Sequence, residues 1–144
     1  GKTKRVPASI FKSFMSKVLK RSNCRFFLMT GNNIDELKIM DEIIESEYKE
    51  YCTPLNNFTI KEILPIIPNC QIAICNDSSF SHLSAGLGIK TIVLMVDTPL
   101  IYGSYNKNMY PILPEGETNV THDTLGKDKI NPEEIYNNFK KLLG

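Results

Sequence analysis

The sequence predicts an α/β domain in which a parallel sheet carries helices on both faces. Three observations point there. Segments with apolar residues at helical spacing alternate with short, continuous apolar runs, the pattern of strands buried on both faces. Helix start and stop signals fall between those runs. The chain has 144 residues, a length that suits one domain with a core of its own.

In chain order, Pro7 opens the first helix, because a missing N–H costs nothing in the first turn. Ile10, Phe11, Phe14, Met15, Val18 and Leu19 form its apolar face. Cys24 to Met29 follows as a buried strand that Gly31 ends. Asn33 and Glu36 read as a capping box, and Ile34, Leu37, Met40 and Ile44 give the stripe of a second helix. Tyr48 to Cys52 is a weak, short strand. Thr59 and Glu62 form a sharper capping box, with Phe58 and Ile63 placed as a hydrophobic staple. Pro65 kinks or shortens that helix. Gln71 to Cys75 is the next strand and Asn76 to Ser79 a polar turn. A short helix of small residues then runs from about Phe80 to a left-handed stop at Gly88. Thr91 to Val96 is a β-branched buried strand. Asp97 to Glu117, rich in Pro, Gly, Tyr and Asn, reads as a long functional loop. Asn131, Pro132 and Glu134 open a last helix, with Ile135, Tyr136, Phe139, Leu142 and Leu143 toward the core. A doubly wound domain normally begins with a strand. This chain begins with a loop and a helix and has no initiator Met. The expectation is a single domain over 1–144, cut from a longer two-domain protein.

Hydrophobic residues make up 42% and charged residues 23%, which excludes an extended disordered chain, a collagen-like chain and a disulfide-dense miniprotein. No apolar run approaches the roughly 20 residues of a membrane span, and no signal-peptide pattern opens the chain. The net charge of +1 hides an asymmetry. Lys2, Lys4, Arg5, Lys12, Lys17, Lys20, Arg21 and Arg25 fall in the first 25 residues, which hold no acid. Such an end is either a solvated helix face or the match for an acidic partner: phosphate, nucleic acid or an anionic membrane face. Cys24, Cys52, Cys70 and Cys75 have no metal-ligand spacing and read as buried reduced thiols of a cytoplasmic protein. Odd spacing places Cys70 and Cys75 on opposite faces of their strand.

In such folds ligands bind beyond the carboxyl ends of the strands. The turn Asn76-Asp77-Ser78-Ser79 lies there, in front of a helix whose dipole presents its positive end. Asp and Ser are also ordinary N-caps, so the turn alone fits either a phosphate site or simple capping. The stretch Cys75 to Thr91 carries Asp77, Ser78 and Ser79, then His82, then a helix of small residues. It resembles the nucleotide-sugar motif of glycosyltransferase family 9, the lipopolysaccharide heptosyltransferases. Thr3-Lys4-Arg5-Val6-Pro7 resembles that family's basic Lys-Arg-Trp-Pro segment, and Asp97 to Asn108 resembles the loop after the following strand. The resemblance covers nearly the whole chain. It departs at two positions: Ser79 stands where the family has Gly, and Val6 where Trp is common.

The resemblance implies the C-terminal, Rossmann-like half of a GT-B glycosyltransferase that transfers sugar with inversion and without metal. It implies a nucleotide-sugar donor such as ADP-heptose, no further cofactor, and a lipid-linked saccharide as acceptor. The catalytic base and the acceptor site belong to a separate N-terminal domain, so no catalytic residue is assigned to this chain. The implied location is the cytoplasm, peripheral at the inner face of the inner membrane. The candidate nucleotide-sugar-binding residues are Thr3, Lys4, Glu36, Phe58, Asp77, Ser78, Ser79 and His82. Lys4 pairs with a diphosphate or is one more solvated lysine. Glu36 holds ribose hydroxyls or only its capping box. Phe58 offers its backbone to an adenine or only staples its helix. His82 serves the motif or is a satisfied buried histidine. Asp77 caps and shapes the turn rather than facing the phosphate. Two rivals stand beside this reading. One is a non-catalytic nucleotide-binding or interaction domain of the same descent, with Ser79 as its mark. The other is a nucleic-acid-binding module on the basic N-terminus, ranked last because no aromatics interleave on a strand platform.

Overall fold

In the structure, a computed structural model that describes residues 1–144, both faces of strand β4 (Lys90–Leu94) are buried. Its alternating side chains divide between two cores. Ile92, Leu94 and the following Val96 pack with helix α1 (Ala8–Leu19) and helix α5 (Pro132–Leu143). Val93 and Met95 pack with Ala85 of helix α4 (Ser79–Gly86) and with Val120. Ile92, Val93 and Leu94 are fully buried, and each stabilises the fold by about 1.5–3 kcal/mol through burial alone. Helices thus cover both faces of the sheet, as the apolar runs predict.

Strand β3 (Ile72–Asn76) and strand β5 (Met109–Ile112) flank β4, both parallel to it. Strand β1 (Phe26–Leu28) pairs in parallel with β2 (Cys52–Pro54) as a separate two-stranded sheet. One continuous sheet is therefore not formed. The two sheets share a core nonetheless: Phe26, Leu28, Cys52, Ile72 and Ile74 all pack in the cluster under α1 and α5. Phe14 and Phe139 meet edge-on at 5.4 Å and knit those two helices together. Helix α2 (Ile34–Ile44) adds Ile43 to the same cluster. No helix is long and apolar enough to cross a membrane.

The local signals explain most boundaries. Helix α3 (Ile60–Ile63) stops before Pro65, and Thr59 caps it by accepting the Glu62 N–H. The Glu62 carboxylate takes the Thr59 hydroxyl at 3.1 Å, so this cap is a side-chain pair rather than a reciprocal box. Phe58 stays half-exposed outside the cluster that buries Ile63, so it does not act as a staple. Pro7 is the N-cap residue of α1, one place earlier than a first-turn proline. Helix α4 ends at Gly88, whose φ is +86°, with Gly88 N–H donating to Ala85 O and Ile89 N–H to Ser84 O. That is a Schellman stop.

Other expectations give way to tertiary context. The strand expected at Tyr48 to Cys52 is shifted: Lys49–Tyr51 is a 3-10 turn and β2 starts at Cys52. Cys70 lies before β3 and shares no strand with Cys75. Within the expected loop Asp97 to Glu117, β5 forms as an edge strand that tolerates Pro111, whose missing N–H removes no ladder bond on the open side. Beyond β4, Asp97 pins the returning chain by accepting the Leu125 N–H at 2.7 Å, while Gly126 N–H donates to Val96 O. The Thr3 hydroxyl, with the Leu125 N–H, holds the Asp97 carboxyl below the usual carboxylate range.

Two outcomes follow. Gly88→Ala should cost roughly 1–2 kcal/mol, the penalty of a left-handed L-residue, measured by urea denaturation. Asp97 has a lowered folded pKa, so its contribution is present at neutral pH and is lost as pH falls through that value. Asp97→Asn should therefore be less stable than wild type at pH 7, by about 1 kcal/mol, with the gap closing in acid. A gap of the same size at both ends of the pH range would assign the loss to packing instead.

Candidate functional site

A cleft of about 570 Å³ opens beyond the carboxyl ends of β1 and β3. Sequence-local features bring its polar groups together. Residues Lys2–Lys4 form a 3-10 turn, and Arg5 leaves it extended. Val6 is fully buried, and its N–H donates to Asn76 Oδ1 at 3.4 Å. That anchor lays Lys4 and Arg5 across the cleft in opposite directions. Lys4 Nζ reaches Asp77 Oδ2 at 3.3 Å. Arg5 turns to the start of α2, with guanidinium nitrogens 3.6 Å from both Asp35 Oδ2 and Glu36 Oε1.

The turn after β3 differs from the expectation at one residue. Ser78, not Asp77, is the N-cap of α4, and its N–H donates to Ser81 Oγ at 3.4 Å. Asp77 is buried instead and accepts the Thr98 hydroxyl at 2.6 Å besides its pair with Lys4. Its carboxylate meets Lys4 and Thr98 and, at 3.7 Å, faces His82 Nε2. Ser79 is the first helical residue and is exposed. The N–H groups of Ser79 and Phe80 have no partner within the helix, as in any first turn. Beneath the turn, Cys75 is buried, and burial pushes its thiol up to about 12, which makes it inert.

At the opposite end, Asn33 caps α2 by accepting the Asp35 N–H at 2.9 Å. Glu36 does not close a capping box with it. The Glu36 carboxylate reaches back to the Gly31 N–H at 2.7 Å, a stronger charge-assisted contact at the end of β1. Arg5 Nε and Thr30 Oγ1, both in residues that line the cleft, are buried without a hydrogen-bond partner.

Of the eight candidate residues, Lys4, Glu36, Phe58, Asp77, Ser78 and Ser79 line this one cleft. Thr3 and His82 do not: Thr3 is exposed beside Asp97, and His82 turns toward Tyr105. His82 is not a buried histidine, since its side chain is 38% exposed. Sequence reasoning missed Arg5, Thr98 and Tyr105. Arg5 stood in the basic segment beside Lys4, a signal that could have found it. Thr98 and Tyr105 are 21 and 23 residues from their partners Asp77 and His82, and only the fold brings them in. The basic N-terminus is partly consumed inside the molecule, by these pairs and by Lys17 with Glu133 at 2.7 Å.

Comparison with known proteins places this geometry. The sequence pattern of glycosyltransferase family 9 (heptosyltransferase) matches residues 1–128. E. coli heptosyltransferase WaaC with ADP superposes with a TM-score of 0.80 at 17% identity, over 97% of this chain and 40% of that one. E. coli ADP-heptose lps heptosyltransferase II superposes with a TM-score of 0.78 at 20% identity, over 99% of this chain and 43% of that one. The chain therefore spans about two fifths of the length of these solved structures. No curated protein matches the sequence. At such identities the structures speak for the fold, and the family match over residues 1–128 supplies the rest: the chain belongs to glycosyltransferase family 9, the heptosyltransferase family.

Proposed function

We propose that this chain is the donor-binding domain of an inverting, metal-independent glycosyltransferase, taking a nucleoside-diphosphate sugar such as ADP-heptose. The observation that carries the reading is the polarity of the cleft. One end offers Lys4 and the free N–H groups of the α4 N-terminus, which suit a diphosphate. The other end offers the Glu36 carboxylate, which suits ribose hydroxyls. Phe27 and Phe58, half-exposed aromatics suited to a flat base, line the same cleft. The unpartnered Arg5 Nε and Thr30 Oγ1 give a ligand two further polar groups to satisfy. WaaC, one of the structural neighbours, is described with ADP.

The chemistry asked of this chain is electrostatic. Transfer of the sugar leaves a nucleoside diphosphate, and negative charge develops on its terminal phosphate. The Lys4 ammonium and the backbone donors of Ser79 and Phe80 stabilise that charge as it grows. No cofactor beyond the donor is needed. The base that activates the acceptor, and the site for a lipid-linked saccharide, belong to an N-terminal acceptor domain. The protein works in the cytoplasm, peripheral at the inner face of the inner membrane.

Ser79 separates this reading from a non-catalytic nucleotide-binding or interaction domain. Its exposed hydroxyl stands at the helix end where the family has Gly. As an adapted contact it donates to a phosphate oxygen. Ser79→Gly should then weaken ADP binding by about 0.5–1.5 kcal/mol in calorimetry. Tighter binding by the Gly variant would move weight to the non-catalytic reading. In the wild-type chain, millimolar ADP should shift the amides of Lys4, Ser78 and Ser79, and Lys4→Ala should lose roughly 1.5–3 kcal/mol of affinity. Shifts confined to residues far from the turn would sink the site. A salt-sensitive response to DNA centred on Lys12, Lys17 and Arg21 would favour the nucleic-acid module instead.

A further inference from the structure

The loop after β4 makes a contact that the nucleotide reading does not use. The Tyr105 hydroxyl and His82 Nδ1 are 2.7 Å apart. Their rings lie nearly parallel, at 22°, with centroids 5.6 Å apart. The other imidazole nitrogen, Nε2, faces Asp77 Oδ1 at 3.7 Å. These two neighbours select a tautomer. With the proton on Nδ1, Nε2 would aim a lone pair at a carboxylate. With the proton on Nε2, the Tyr105 O–H donates to Nδ1 and an N–H faces Asp77.

The loop that carries Tyr105 is fastened. Asn108 Nδ2 donates to Ala85 O of α4 at 3.1 Å, and the Asn108 N–H donates to Asn106 Oδ1 at 2.8 Å. Ser104 Oγ donates to Leu100 O at 3.0 Å. Gly103 lies so close to the end of β4 that a Cβ there would run into the Met95 thioether. Tyr105 is thus held over the first turn of α4 by the same strand that positions Thr98.

Electrostatics gives the contact a task. Asp77 is a buried anion directly behind the helix end proposed to take the diphosphate. Lys4 is the cation nearest to it, at 3.3 Å. As Lys4 turns toward a phosphate, Asp77 needs another donor. We propose that Tyr105 is a positioning residue for the phosphate site. It fixes the Nε2–H tautomer of His82, and His82 steadies Asp77 so that Lys4 is released to the diphosphate. The proposal rests on the nucleotide reading above.

Two readouts on the 144-residue chain test it, with ADP as the ligand. In long-range proton–nitrogen spectra, wild-type His82 should appear as the Nε2–H tautomer. Tyr105→Phe should move His82 toward the mixture of a free imidazole, with backbone amides elsewhere unchanged. The same variant should bind ADP about 3–10-fold more weakly. His82→Gln keeps an amide donor for Asp77 but has no Nδ1 for Tyr105. In that background Tyr105→Phe should leave ADP affinity unchanged. Either readout unmoved in Tyr105→Phe, or a full additive loss in the Gln background, overturns the proposal while the nucleotide reading stands. A wild-type chain that does not bind ADP overturns the nucleotide reading, and this proposal with it.

Discussion

A buried carboxylate must be satisfied where it sits, and Asp77 is the point at which this molecule meets that requirement. Leaving an ionised carboxylate unpaired in a low-dielectric site costs several kcal/mol. Asp77 avoids that cost by drawing a hydrogen bond from each of two distant segments, Lys4 from the N-terminus and Thr98 from beyond β4, with His82 of the adjoining α4 facing it at 3.7 Å. The consequence is geometric. The N-terminal arm, the end of the central strand and the first turn of α4 cannot drift apart without stranding a charge. The cleft mouth inherits its shape from that constraint.

The same constraint orders the electrostatics. An acidic residue beside a helix N-terminus would ordinarily cap it and use up its N–H groups. The Asp77 carboxylate is engaged by Thr98 and Lys4, and Ser78 takes the capping place. The first N–H groups of α4 then remain available at the cleft. An aspartate cap would have taken one of those N–H groups for its own carboxylate. This is why the departure from the expected role of Asp77 strengthens the phosphate reading rather than weakening it.

Much of the fold was legible because its signals are local. The alternation in β4, the cap at Thr59 and the left-handed stop at Gly88 each depend on residues close in sequence. What was not legible depends on partners that sequence does not bring together. Strand β5 contains Pro111 and lies among Tyr and Asn residues, a loop signature, and only the free side of an edge strand makes it tolerable. The break between the two sheets leaves no mark in the apolar runs that form β1 and β3. At the site, the cleft residues could be nominated from motif and spacing. The residues that hold them could not: Thr98 and Tyr105 earn their places through a β4 crossover alone. Glu36 shows the intermediate case. Its position three after an N-cap residue suggested a box, but a backbone N–H at Gly31 lies nearer to hand.

That contact bears on what Glu36 can still do. An ionised carboxylate has about four acceptor sites on two oxygens. One is taken by the Gly31 N–H, and Arg5 lies 3.6 Å from the other oxygen, a distance of attraction rather than a formed hydrogen bond. Acceptor capacity therefore remains, and it is held in a fixed direction by the backbone of β1's end. Arg5 attracts that oxygen without occupying it. A diol approaching from the cleft would meet a pre-oriented acceptor, which needs no side-chain ordering at the moment of binding. Arg5 and Lys4 thus act alike from opposite ends: each neutralises a carboxylate that shapes the cleft, and buried Val6, directly after them in the chain, anchors the segment that carries both.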